Sequence, residues 1–145
     1  MTPKARRIQL LISILSAAGM AVSSVSLYHH YGTSKSSYCD FGASFNCDMV
    51  NRSVYSTVAG IPVALIGVLG YLALLMLSTL YRSKAETPIM ILLGSLAGLG
   101  FALYLTYIEK FVLVVWCILC LSSLSVIFLI TVLASVLVTR STRKA

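Results

Sequence analysis

Four stretches of the chain are rich in apolar residues and contain no formally charged side chain. They comprise residues 8–34, 54–81, 88–108 and 111–139. Each is at least as long as the roughly 20 residues that an α-helix needs to cross about 30 Å of hydrocarbon. The pattern therefore predicts four membrane-spanning helices rather than a soluble domain.

The predicted spans comprise about residues 9–28, 62–81, 88–108 and 113–138. Pro62 and Pro88 fit the first turn of their helices, where a missing backbone N–H costs nothing. The second and third loops are short, so consecutive helices must be antiparallel neighbours. We predict an all-α membrane protein, residues 1–145, that forms a four-helix bundle with a long first loop at residues 29–61.

The composition agrees with this fold, since 59% of the residues are hydrophobic and only 10% are charged. The net charge of +7 is unevenly placed. The chain ends and the second loop hold Lys4, Arg6, Arg7, Arg82, Lys84, Arg140, Arg143 and Lys144. The other two loops hold Lys35, Arg52 and Lys110. The positive-inside bias predicts cytoplasmic termini and an extracytoplasmic first loop, and it explains the charge without nucleic-acid binding.

The first loop contains a pair of cysteines, Cys39 and Cys47, separated by seven residues. The segment that follows, residues 48–57 ("DMVNRSVYST"), is compatible with a helix for which Asp48 is a suitable N-cap. We expect a short helix at the outer surface of the membrane.

A second pair, Cys117 and Cys120 in "WCILC", lies near the predicted outer end of span four. All four cysteines are then on one side of the membrane, the oxidising side on which disulfides form and persist. Unpaired backbone N–H groups at a helix start favour the reactive thiolate. The chain thus offers one dithiol in a loop and one in a membrane helix.

Three interpretations of these cysteines differ in their chemistry. Two inert disulfides would add little, because a helix gains little from a link three residues apart. A four-cysteine zinc site would use C-x-x-C as one half, but C-x7-C lies outside the usual spacing of the other half, and we expect no metal. A thiol–disulfide relay uses both pairs, and the sequence favours it.

A relay inside the bilayer needs an electron acceptor, and a lipid-soluble quinone fits the location. The chain has no haem-attachment C-x-x-C-H motif and no flavin fingerprint. Leu113, Cys117, Cys120 and Leu124 recur at i, i+4, i+7 and i+11, which would align them on one apolar helix face. We therefore expect Leu113 and Leu124 to contact the quinone.

Two further patterns concern helix packing and the membrane surface. Gly94 and Gly98 form a G-x-x-x-G motif in span three, which predicts a close helix contact. Tyr107, Phe111 and Trp116 predict an aromatic belt at the interface.

An ordered set of motifs resembles the vitamin K epoxide reductase family over about residues 9–139. The set consists of the C-x7-C pair, Ser53 six residues after Cys47, "YSTVAGIPVALIG" leading into span two, and "WCILC" at the last span. The resemblance implies a quinone reductase coupled to disulfide formation, with ubiquinone or menaquinone as co-substrate.

Roles for individual residues follow from the resemblance alone. Cys39 would exchange with a thioredoxin-like (DsbA-like) partner, and Cys47 would attack Cys117. The freed Cys120 would reduce the quinone, with Ser53 near the quinone rim. Because the chain stops at "TRSTRKA", where many bacterial relatives continue into a thioredoxin-like domain, we expect the partner to be a separate protein.

Two departures weigh against the animal type of activity. The animal enzymes carry an asparagine in span two and a tyrosine one turn past the last cysteine. Residues 62–81 contain no asparagine, and Leu124 stands at the second position. The leading prediction is a disulfide-generating quinone reductase of a prokaryotic inner membrane. The alternatives are an animal-type vitamin K epoxide reductase and a structural protein of claudin-like design.

Overall fold

The computed structural model describes residues 3–31, 57–58, 60–81, 84, 86–113 and 118–143. Within these ranges the chain forms four α-helices: α1 Pro3–Tyr31, α2 Val63–Thr79, α3 Thr87–Ile108 and α4 Ile118–Arg143. Two short strands, β1 Thr57–Val58 and β2 Ile61–Pro62, precede α2, and a π-helix, Glu109–Leu113, follows α3. The predicted four-helix membrane bundle is confirmed.

Three of the helical stretches are long and apolar enough to cross a membrane, namely Pro3–Tyr28, Thr87–Val112 and Cys120–Arg143. The fourth helix, α2, has 17 residues. At 1.5 Å per residue it is about 25 Å long, near the lower limit for a spanning helix. The chain is an integral membrane protein.

The helices pack so that α1 contacts α2 and α4, while α3 contacts α4 and, less extensively, α2. Short connections make α2 and α3, and α3 and α4, neighbours, whereas α1 packs against α2 across the long first loop. The contact between α1 and α2 is close because small side chains face each other along it. The Ser13 Oγ donates to the Ser78 Oγ at 2.9 Å. A Cβ on Gly67 would lie 2.8 Å from the Ser23 Oγ.

The G-x-x-x-G motif contacts two different helices. A Cβ on Gly98 would lie 3.3 Å from Ile127 of α4, and a Cβ on Gly94 would lie 3.5 Å from Leu74 of α2. The predicted close helix contact is therefore confirmed at Gly98, and the motif allows α3 to pack between α2 and α4.

The closed hydrophobic core lies towards one end of the bundle. Its members are Ile8, Ile12, Tyr71, Leu74, Ile91, Ile127, Ile130, Ala134 and Leu137. The end of the bundle next to this core carries exposed basic side chains from α1, the α2–α3 connection and α4: Lys4, Arg6, Arg7, Lys84, Arg140 and Arg143. We call it the basic end, and the opposite end, where α4 begins, the cysteine end.

Span four does not begin at Leu113 as predicted. The chain continues α3 through the π-helix to Leu113, and α4 begins at Ile118. Continued helical hydrogen bonding satisfies the backbone polar groups of this apolar segment, which would otherwise face hydrocarbon. Leu113 therefore belongs to a different element from Cys120 and Leu124. The predicted four-residue helical stripe is wrong in that respect.

The other predicted boundaries differ less. The first helix is longer than predicted, and the last helix ends at Arg143 instead of residue 138. Helix α3 starts one residue before Pro88, which lies in its first turn. Pro62 is the N-cap of α2 rather than its first residue, with φ −60° and ψ 135°. Of the predicted surface helix, residues 48–56 lie outside the described residues. Its last residue, Thr57, is in β1 and not in a helix.

The two strands form a tight antiparallel hairpin that leads into α2. Thr57 pairs with Pro62 and Val58 with Ile61, so the connection has two residues. Its second residue, Gly60, has φ +82°, a conformation that other residues rarely adopt.

Replacing Gly60 with alanine should lower the free energy of unfolding by about 1–2 kcal/mol, the cost of left-handed backbone for a residue with a Cβ. No atom of the residues that the structure describes lies within 4 Å of the added Cβ, so the expected effect is backbone strain. Gly70→Ala in α2 is the matched control, since its Cβ also meets open space but gains helix propensity of up to about 1 kcal/mol. Denaturation of both variants in detergent should show a lower free energy of unfolding for Gly60→Ala and a higher one for Gly70→Ala. An equal change in the free energy of unfolding for the two variants would mean that the left-handed backbone at Gly60 is not the cause.

Candidate redox site

The structure describes part of the predicted redox site. Cys120 and Leu124 lie on α4, and Leu113 ends the π-helix. The remaining predicted site residues, Cys39, Cys47, Ser53 and Cys117, lie outside the described residues, and so does Trp116. The geometry of the site is therefore built from Cys120 and its surroundings.

Cys120 is the third residue of α4 and its side chain is half-buried. It lies near the N-terminal end of the helix, where the aligned peptide dipoles leave a partial positive charge. A thiolate formed at this position would be stabilised by the helix that carries it.

The packing around Cys120 differs from that of the core. Ile12, Ile91, Ile130 and Ala134 are fully buried near the basic end. Towards the cysteine end from Tyr71 and Ile127, by contrast, every side chain of α2 and α4 that the structure describes is half-buried or exposed.

The residues in this region of α2 and α4 are mainly apolar, among them Val63, Leu65, Val68, Leu121 and Leu124. Apolar walls that are not packed to completion are typical of sites for small lipid-soluble ligands. Towards the cysteine end, α2 and α4 thus carry apolar side chains that are not fully buried by the described residues.

Tyr71 lies at the end of the hydrophobic core that faces the cysteine end. Its side chain is only 5% exposed, and its ring lies against Gly19 of α1. Its hydroxyl is 3.0 Å from the carbonyl oxygen of Ser123 and 2.9 Å from the Ser123 Oγ. One tyrosine therefore joins α1, α2 and α4 within one turn of Cys120.

Aromatic side chains are exposed at the cysteine end of α3. The rings of Tyr107 and Phe111 are 4.8 Å apart between centroids, and the Lys110 Nζ lies 5.2 Å from the centre of the Phe111 ring. Amphipathic groups of this kind favour the boundary between hydrocarbon and water. Tyr107 and Phe111, the two members of the predicted aromatic belt that the structure describes, are exposed together at the cysteine end of the bundle.

The sequence motifs did not point to Tyr71 or Gly19. One sequence feature could have indicated Tyr71: it lies near the middle of an apolar span, far from the interfaces where membrane tyrosines are enriched. A buried tyrosine hydroxyl generally has a hydrogen-bond partner, so such a position predicts a contact with another helix. The sequence does not indicate which helix.

No group of three or more histidine, cysteine or acidic side chains lies together among residues 3–31, 57–58, 60–81, 84, 86–113 and 118–143. Of the four predicted redox cysteines, Cys120 is the one that lies within these ranges.

Comparison with known proteins identifies the family. The model of the vitamin K epoxide reductase family matches residues 10–135, which include all four cysteines and most of each of the four helices. A search of curated proteins gives no match. Members of this family are membrane oxidoreductases that use quinone-type substrates. Since the match covers most of the chain and agrees with the helical bundle, this protein belongs to the vitamin K epoxide reductase family.

Proposed function

We propose that this protein transfers electrons from a thioredoxin-like (DsbA-like) thiol oxidase to a membrane quinone and so supports disulfide formation. Cys39 and Cys47 form the entry pair, and Cys117 and Cys120 form the pair that reduces the quinone. The observation that carries the proposal is the half-buried Cys120 near the N-terminal end of α4, in a chain of a quinone-reducing family.

The first half-reaction passes two electrons between protein thiols. The reduced partner attacks the Cys39–Cys47 disulfide, is itself oxidised to a disulfide, and leaves both loop cysteines as thiols. The Cys47 thiolate then attacks Cys117 of the Cys117–Cys120 disulfide, which releases Cys120 as a thiolate. Cys39 attacks Cys47, which restores the loop disulfide and frees Cys117. Each step exchanges one S–S bond for another.

The second half-reaction reduces the quinone. The Cys120 thiolate adds to the quinone ring, Cys117 attacks the Cys120 sulfur, and the S–S bond forms as the C–S bond breaks and leaves its electron pair on the ring. Two protons from the thiols or from water complete the hydroquinone. The helix start at Cys120 stabilises the thiolate that this step requires.

The half-buried apolar residues that follow Cys120 on α4, Leu121 and Leu124, support a quinone as the acceptor. A quinone ring with an isoprenoid tail is lipid-soluble and can enter between membrane helices. Leu124, one turn from Cys120 and half-buried, is a wall for the ring in this proposal. Ser53 at the rim would donate a hydrogen bond to a quinone carbonyl. Ubiquinone and menaquinone both satisfy these requirements.

The orientation in the membrane follows from the distribution of charge. Exposed basic side chains from three segments meet at the basic end, whereas Lys110 is the one cation described at the cysteine end. The positive-inside bias then makes the basic end cytoplasmic. The four cysteines would face the periplasm of a prokaryotic inner membrane, where a thiol oxidase operates.

A reconstituted assay tests the function. The purified protein, a reduced periplasmic thiol oxidase and short-chain ubiquinone or menaquinone are mixed, and quinone absorbance and partner thiols are followed together. We expect one quinone to be consumed for each disulfide formed in the partner. If neither quinone is reduced while all four thiols titrate as intact, the proposal is wrong.

The same assay separates the animal-type alternative. With vitamin K epoxide as acceptor and a small dithiol as donor, we expect turnover well below that with quinone, because the chain lacks the asparagine and the tyrosine of the animal enzymes. Faster turnover of the epoxide than of the quinone would mean that the protein is an epoxide reductase of the animal type. Family membership itself excludes the claudin-like alternative.

A further inference from the structure

Tyr71 occupies space that Gly19 leaves open. A Cβ on Gly19 would lie 2.3 Å from Cε1 and 2.5 Å from Cζ of the Tyr71 ring, far inside van der Waals contact. The ring therefore rests directly on the backbone of α1. With only 5% of the side chain exposed, its position is set by packing on both sides.

The Tyr71 hydroxyl and Ser123 are hydrogen-bond partners of each other. Each hydroxyl has one hydrogen to donate. The Tyr71 hydroxyl donates to the Ser123 carbonyl at 3.0 Å, and the Ser123 hydroxyl, 2.9 Å away, then donates to the Tyr71 oxygen. In this arrangement neither hydroxyl has a hydrogen left for a ligand. The pair is suited to holding helices together rather than to binding a quinone carbonyl.

Ser123 lies three residues after Cys120 on α4. Side chains at this spacing are neighbours on one helix face, with their Cβ atoms about 5–6 Å apart. A bond at Ser123 therefore restrains the rotation of α4 about its axis at the level of Cys120. Because the same tyrosine belongs to α2 and packs on α1, the bond holds α4 in a fixed rotation relative to both of these helices.

We propose that Tyr71 is a positioning residue that sets the direction and depth of the Cys120 thiol through Ser123. The inference rests on the proposed role of Cys120 in quinone reduction. Electron transfer to the quinone requires the sulfur at a defined distance from the ring, and a misplacement of about 1 Å can cost up to about a hundredfold in rate.

Tyr71→Phe is the informative variant, since it keeps the ring against Gly19 and removes only the hydroxyl. Reoxidation of the prereduced full-length protein by short-chain quinone is followed by stopped flow over a range of quinone concentrations. We expect the limiting rate to fall about tenfold while the apparent quinone affinity stays unchanged. Reduction of the oxidised protein by dithiothreitol, which enters at the loop pair, should keep its wild-type rate.

Tyr104→Phe is the matched control, because Tyr104 is 57% exposed on the outer surface of α3. We expect it to leave both half-reactions unchanged. Ser123→Ala, which retains the carbonyl acceptor, should slow reoxidation less than Tyr71→Phe does. The double variant should equal Tyr71→Phe alone, because both substitutions act through one contact.

A readout without quinone separates this inference from the proposed function. N-ethylmaleimide labelling of Cys120 in the fully reduced protein is measured by peptide-resolved mass spectrometry. We expect Tyr71→Phe to raise the labelling rate severalfold and Tyr104→Phe to leave it unchanged. If the wild-type protein fails to reduce quinone but this difference persists, the proposed function fails and the positioning role stands.

Three results would overturn the inference. A weaker quinone affinity at an unchanged limiting rate would mean that Tyr71 contacts the substrate. Equal loss in both half-reactions together with a lower unfolding temperature would mean a general structural role. Unchanged reoxidation and labelling would mean that the hydrogen bond does not position Cys120.

Discussion

Cys120→Ala is expected to abolish quinone reduction and to accumulate a disulfide between Cys47 and Cys117. Without Cys120, the Cys117 thiolate can still attack Cys47 of the oxidised loop pair and release Cys39. No neighbouring thiol on α4 is then present to attack Cys117 and release Cys47, and no thiolate at position 120 can reduce the quinone. Turnover should fall by about a thousandfold or more, the scale on which a covalent nucleophile contributes.

Two measurements check this expectation. Quinone absorbance follows turnover, and mass mapping of peptides under non-reducing conditions identifies the trapped disulfide. Ser122→Ala is the matched control. It changes a residue two positions away on the same helix, and the Ser122 Oγ bonds only to the Ile118 carbonyl, at 2.8 Å, among the contacts described. Quinone reduction at a wild-type rate by Cys120→Ala would show that another group reduces the quinone.

The loop pair should behave differently from Cys120. Cys39→Ala is expected to abolish exchange with the thioredoxin-like partner but to leave quinone binding intact, because Cys39 acts only at the entry step. The same mass mapping, with quinone binding measured by equilibrium dialysis, checks it. Loss of quinone binding in this variant would contradict the division of roles between the two pairs.

Gly19→Ala should destabilise the bundle more than Gly60→Ala does. The added Cβ would lie 2.3, 2.5 and 2.6 Å from Cε1, Cζ and Cδ1 of the Tyr71 ring. The ring cannot easily move aside, since it is buried and its hydroxyl is bonded to Ser123. Helices α1 and α2 must separate instead, at a cost of about 1–3 kcal/mol, typical of overpacked interiors.

The control for Gly19→Ala is Gly100→Ala on α3, where a Cβ would meet no atom within 4 Å. Unfolding of both variants in detergent should show a loss of stability only for Gly19→Ala. Adding Tyr71→Leu to Gly19→Ala removes the atoms that clash, so the double variant should lose less stability than the sum of the single changes. Strict additivity would mean that the clash is relieved in another way.

The sequence predicted most of the secondary structure because hydropathy reports burial in lipid directly. Span three, predicted at residues 88–108, agrees with α3 to within one residue at its start, since polar and charged residues flank it on both sides. The start of span four was misplaced because residues 111–121, "FVLVVWCILCL", are almost all apolar. Hydropathy alone cannot mark a break between two helices within such a run.

What the sequence determined by itself is the class of molecule and its family. Apolar length requires spanning helices, short loops require antiparallel neighbours, and the order of the cysteine motifs identifies the family. These properties are local or additive along the chain, and so they can be read without coordinates.

The tertiary structure alone decided how Tyr71 of α2 meets Gly19 of α1 and Ser123 of α4. The clearance at Gly19, the hydrogen bonds between Tyr71 and Ser123, and the end of the closed core at Tyr71 and Ile127 each depend on the distance and rotation between helices. Those quantities arise from the packing of many side chains at once. No single segment of the chain encodes them, because the space that one residue leaves is filled by another far away in sequence.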